Sequence, residues 1–103
     1  MTSTIGDLAG MVRSKNAGPF WLTIDVFCDT DEIFRRIARS PATDPGAIAE
    51  IYSVPADQVL IWAISSLRTI KISFPRPTPQ GSVGDRDMHA GQQYVPLLSI
   101  EVA

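Results

Sequence analysis

The sequence predicts an α+β fold: a two-layer sandwich with a mixed sheet of about four strands, three helices mainly on one face, and a long loop before the last strand. Three observations carry this. Helix-period and strand-period segments both occur within 103 residues. Two predicted helices follow one another between the first two strands, which implies a crossover connection. The run Phe74 to Pro96 has no apolar period at all, and a connection of about twenty residues is far longer than the usual four to six.

In order, Ser3 to Lys15 places Ile5, Leu8, Ala9 and Val12 at helical spacing, with Ser3 or Thr4 as cap and cations in the last turn. Trp21 to Cys28 alternates, with Leu22, Ile24, Val26 and Cys28 on one side, and reads as a strand. Asp29 or Thr30 caps a second helix whose buried stripe is Ile33, Phe34 and Ile37, with Arg35, Arg36 and Arg39 towards its C-terminus. Pro41 ends it. Asp44-Pro45 is a cap with proline at the first helical position, and Ala47, Ile48, Ile51 and Tyr52 give a third helix that Val54-Pro55 closes.

Val59 to Ile64 is apolar at every position and reads as the central strand, covered on both faces. After the Ser65-Ser66 turn, Thr69 to Phe74 alternates with Ile70, Ile72 and Phe74 inward. Leu97 to Val102 repeats the pattern. Trp21–Cys28 and Val59–Ile64 should run parallel, and the latter should form a near-hairpin with Thr69–Phe74. Thr23, Asp25, Lys71, Ser73, Ser99 and Glu101 then occupy the face without helices. An apolar central strand there leaves Trp62 or Ile61 in need of shielding by the long loop, the first helix or another subunit, of which a partner subunit is the favoured choice.

Composition bounds the function. Apolar residues make up 45% and charged residues 19%, an ordinary globular balance, and the length suits a single domain over 1–103. Nine Lys and Arg residues dispersed along a chain of net charge -2 provide no basic stripe, so nucleic acid is not an expected partner. The first twenty residues contain Asp7, Arg13 and Lys15 and no apolar block. Neither a secretory signal nor a membrane anchor is expected, and the expected location is the cytoplasm. Cys28 is the single cysteine, so no internal disulfide forms; its place on the apolar side of a strand makes it a small core residue rather than a nucleophile.

The chemistry-bearing residues collect in and around the long loop. Asp85, Asp87 and His89 alternate, so an extended segment points all three to one side about 6 to 7 Å apart, the only hint of a metal site. A calcium loop starting at Asp85 fails, because Ala90 stands where glycine is needed and Pro96 where the bidentate glutamate belongs. His89, oriented by Asp85 or Asp87, is the candidate acid or base. Lys15, Asn16, Lys71 and Arg76, with the amides of Gly81-Ser82 and Gly84, are candidates for binding a carboxylate or phosphate. Gln92 and Gln93 add paired donors and acceptors. The nucleophile-elbow, phosphate-loop, dinucleotide and zinc-helix motifs are all missing, which disfavours a self-contained enzyme of a common class. No cofactor is expected.

Arg13-Ser14-Lys15-Asn16-Ala17-Gly18-Pro19-Phe20, Lys71, Pro75-Arg76-Pro77, Gly81-Ser82, Gly84-Asp85, Asp87, Gly91-Gln92-Gln93 and Pro96-Leu97-Leu98 carry a resemblance across nearly the whole chain. The sequence resembles the small uncharacterised domain family that accompanies AtuA-type proteins, which are named for acyclic terpene utilisation. In that family the domain stands alone or is joined to the larger protein. The resemblance implies an oligomeric subunit of a catabolic assembly acting on branched acids or their thioesters, with an AtuA-like large partner. It supplies no activity to carry over.

The resulting expectation is an accessory or structural subunit that docks on such a partner and lends residues 75–96 to an interface or a shared carboxylate or thioester site. The alternatives are an oligomeric lyase or hydratase using His89, and a self-associating module without chemistry.

Overall fold

The computed structural model describes residues 3–18, 20–75 and 95–102, with Val95 described by its backbone alone. Arg76, Asp85, Asp87, His89, Gln92 and Gln93, and most of the predicted long loop, lie outside the described residues. Within them the chain is α+β: a four-stranded sheet, a two-stranded ribbon and three α-helices.

The helix expected over Ser3–Lys15 is reduced to a single turn. Strand β1 (Ser3–Thr4) leads into α1 (Ile5–Leu8), where Thr4 and Asp7 cap reciprocally: the Asp7 N–H donates to Thr4 Oγ1 at 3.3 Å and the Thr4 N–H to Asp7 Oδ2 at 3.0 Å. Strand β2 (Met11–Asn16) follows and pairs antiparallel with β3 (Trp21–Phe27) from Met11↔Phe27 to Asn16↔Leu22. Ile5, Leu8, Ala9 and Val12 satisfy a helical period, yet a six-residue ladder to a neighbouring strand outweighs that weak local preference. Asn16-Ala17-Gly18-Pro19 reads as a helix end; Asn16 instead closes β2, and Ala17, Gly18 and Phe20 lie in the hairpin connection to β3. Gly18 takes φ 85° in it, a left-handed conformation that costs glycine nothing, and the Ala17 N–H donates to the Trp21 carbonyl at 2.9 Å.

The next two helices form as their sequence signals dictate. Helix α2 (Asp31–Ala38) is capped by Thr30, whose Oγ1 accepts from the Ile33 N–H at 3.1 Å; it buries Phe34 and Ile37. A 3₁₀ turn over Pro41–Thr43 links it to α3 (Pro45–Tyr52), where Asp44 Oδ1 accepts from the Gly46 N–H at 3.0 Å. Ser53, in the left-handed region at φ 57°, ends α3.

Strands β4 (Leu60–Ile64) and β5 (Thr69–Pro75) form the expected antiparallel pair. The order in the sheet is β2-β3-β5-β4, and every pairing among the described residues is antiparallel, not mixed. Because β5 is antiparallel to both β3 and β4, those two do run parallel, but β5 sits between them. The strand expected to be central is therefore at the edge. Leu97–Val102 differs too: a 3₁₀ turn over Val95–Ser99 precedes a short strand, β6 (Glu101–Val102), which pairs with β1 rather than joining the main sheet. Ser99 and Glu101 accordingly do not lie on the main sheet's open face.

One face of the sheet is the core. Leu22, Ile24, Val26, Ile70, Ile72 and Phe74 are buried there against Ile5, Phe34, Ile37, Ile48, Tyr52 and Leu97. Each fully buried aliphatic side chain contributes roughly 1.5 to 3 kcal/mol. The Tyr52 and Phe74 rings meet at 4.5 Å between centroids.

Candidate functional site

The opposite, outer face is set by strand register. Side chains alternate across a strand, and residues directly opposite on neighbouring strands share a face. One row across the sheet is Arg13, Asp25, Lys71 and Trp62; the next is Lys15, Thr23, Ser73 and Leu60; a third is Met11, Phe27, Thr69 and Ile64. Trp21 and Pro75 close the face at one end.

Asp25 is the centre of this face and is only 3% exposed. Two cations flank it across both neighbouring strands: Arg13 Nε lies 3.7 Å from Oδ2 and Lys71 Nζ 4.0 Å from Oδ1. Both separations exceed hydrogen-bond length, and the buried Oδ1 has no hydrogen-bond partner among the described residues. Arg13 also stands over the Phe27 ring at 5.0 Å, a cation–π contact that fixes its guanidinium. Beside Asp25 the Thr23 and Ser73 hydroxyls lie 3.4 Å apart, and Ser73 Oγ donates to the Leu22 carbonyl at 3.2 Å. Arg13 and Lys71 are half-exposed and Lys15 is exposed, so this patch presents three cations around one sunken carboxylate. Met11, Trp21, Leu60 and Trp62 frame it with exposed apolar surface.

Of the predicted anion-binding residues, Lys15 and Lys71 reach this common face, about 12 Å apart diagonally across the sheet. Asn16 does not: it sits opposite Leu22, on the inner side. Arg76, the candidate acid-base His89, the weak metal candidates Asp85 and Asp87, and Gln92 and Gln93 lie outside the described residues. Arg13 and the central role of Asp25 were missed, because reading Arg13 on a helix separates it from the sheet. The available signal was the alternation Arg13, Lys15 against Ser14, Asn16.

Other features carry less chemistry. An open groove of about 390 Å³ lies between α2 and the turn after β4, lined by Asp31, Phe34, Arg35, Ser65 and Ser66. Beside it Arg68 Nε donates to Asp31 Oδ1 at 2.9 Å. None of the predicted site residues among the described residues lines this groove. Cys28 is buried, and burial, with the Asp29 charge adding to it, pushes its thiol above the usual range; it is a core residue held protonated.

The profile of a family described as a domain of unknown function, DUF4387, matches residues 5–101. The chain is a DUF4387 domain. No curated protein and no solved structure matches it. The DUF4387 match embraces every described element from α1 to the first residue of β6, so the charged outer face and the core beneath it both belong to the family domain. No helix described in this DUF4387 domain is long and apolar enough to cross a membrane.

Proposed function

We propose that this domain is a non-catalytic accessory subunit of a catabolic enzyme assembly, seated by the outer face of its sheet on a larger, AtuA-type partner. The observation that carries the docking role is the outer face itself: Arg13, Lys15 and Lys71 around the buried Asp25, with Met11 and Trp21 exposed beside them. An interface is apolar with a few placed charges, and arginine and aromatic side chains are its commonest anchors. A cationic patch of this kind fits an acidic, partly apolar surface. The choice of an AtuA-type protein rests on the resemblance of the Arg13–Phe20 and Pro96–Leu98 motifs.

Strand β5 ends at Pro75, opposite Trp21 on the same face, and residues 76–94 follow it in the sequence. That segment is the part proposed to meet the partner's substrate, a carboxylate or thioester. The acid-base candidate His89 belongs to that segment.

Co-expression of the chain with an AtuA-type large protein tests this. The two should co-elute as one complex, and the double variant Arg13→Glu, Lys15→Glu should weaken association by at least about tenfold while its circular dichroism stays native. Separate elution of the two proteins at micromolar concentration overturns the reading.

A further inference from the structure

Strand β4, Leu-Ile-Trp-Ala-Ile, is apolar at every position, yet not one of its five residues is buried: three are exposed and two half-buried. Leu60 is 45% and Trp62 46% exposed. Among the described residues the strand pairs on one side only, with β5, and it ends the sheet. Proteins protect such edges with charge, proline or a bulge. The opposite edge of this sheet, β2, carries Arg13 and Lys15. Strand β4 has no charge and no proline, and its register from Leu60↔Ser73 to Ile64↔Thr69 is unbroken by any bulge.

We infer that β4 pairs antiparallel with β4 of a second copy of this chain, across a two-fold axis at Trp62, joining the two four-stranded sheets into one. The strand fits its own reversed copy. Centring the pair on Trp62 is the register that engages all five residues, and it sets Leu60 opposite the copy's Ile64, Ile61 opposite its Ala63, and Trp62 opposite its Trp62. Each opposed pair shares a face, so Leu60, Trp62 and Ile64 of both copies form an apolar stripe outside, while the Ile61–Ala63 pairs match large to small inside. A two-fold interface is self-complementary in this way, whereas an unrelated partner has no need of a match between a strand and its own reverse. The inference concerns the chain by itself and does not require the AtuA-type partner.

Light scattering and sedimentation of the purified full chain test it. The expected mass at micromolar concentration is that of two chains, and Trp62→Lys should give a single chain with native circular dichroism. A second measurement reads the register. Under oxidation, Trp62→Cys should cross-link to itself; Leu60→Cys alone should not, whereas the Leu60→Cys, Ile64→Cys double variant should. Cys28 is buried and does not compete. A wild-type chain of single mass, a dimer that survives Trp62→Lys, or Trp62→Cys chains that stay unlinked would each overturn the inference; if Trp62→Lys fails to fold, the cross-linking pattern decides.

Discussion

Tyr52 sits at the end of α3 against Phe74, buried, with a hydrogen bond to the Leu97 backbone. Burial pushes its phenol above the ordinary value of 10.0, and the hydrogen bond opposes that only in part. The sign follows directly. The folded chain keeps this proton at a pH where the unfolded chain has released it, so the contribution to stability is intact below pH 10 and is lost as pH rises beyond it. Stability should fall by up to about 1.4 kcal/mol per pH unit above that point. Urea midpoints measured from about pH 8 to about pH 11 should show the fall in the native chain, to which the raised Cys28 thiol adds from about pH 9, and Tyr52→Phe should flatten the part of the fall that sets in above pH 10. Arg68 is a second residue with a local tension: it holds φ 47°, a conformation that costs a side chain about 1 kcal/mol. Its Nε bond to Asp31 and its Nη1 bond to the Asp29 carbonyl at 3.1 Å offset that cost and tie the β4–β5 turn to the start of α2.

Among the elements, β3 is where the outer face is made, because Asp25 lies between a cation on β2 and one on β5. Each cation is half-exposed and each contact is long, so solvent screens either pair alone and single loss should cost little. Losing both leaves a buried carboxylate with no counter-charge. A double-mutant cycle with Arg13→Ala and Lys71→Ala should therefore be non-additive, the double variant being destabilised by clearly more than the sum of the singles; additive denaturation midpoints would refute the shared role.

Local signals made α2, α3, β3 and β5 legible, since caps, prolines and an unambiguous period all lie within each segment. Strand β2 was not legible, because Ile5, Leu8, Ala9 and Val12 fit a helix and the strand exists only through its ladder to β3. The apolar run of β4 was read as a central strand, yet sequence alone cannot say that β5 inserts between β3 and β4. The same limit governed the site. Lys71 and Lys15 were found by residue type, whereas Asp25 and Arg13 became a centre only once the register placed them side by side.

At the scale of the molecule, one core supports two quite different surfaces: a helical face, and a sheet face of three cations around a sunken carboxylate that runs out to a bare apolar edge. The ribbon of β1 and β6 links the first described residues to the last, with Ser3 opposite Val102 and the Ile5 N–H donating to the Ile100 carbonyl at 3.0 Å. Ile5 and Val102 are fully buried, so neither end of the described chain can peel away without opening the core. Dyes attached at residue 3 and at the exposed residue 101 should accordingly keep full energy transfer until the core itself melts, and lose it in the same transition; an earlier, separate loss would show that the ends fray. That clasp makes a two-colour gauge of global folding out of the two ends of the described chain, which it holds within a few ångströms of each other.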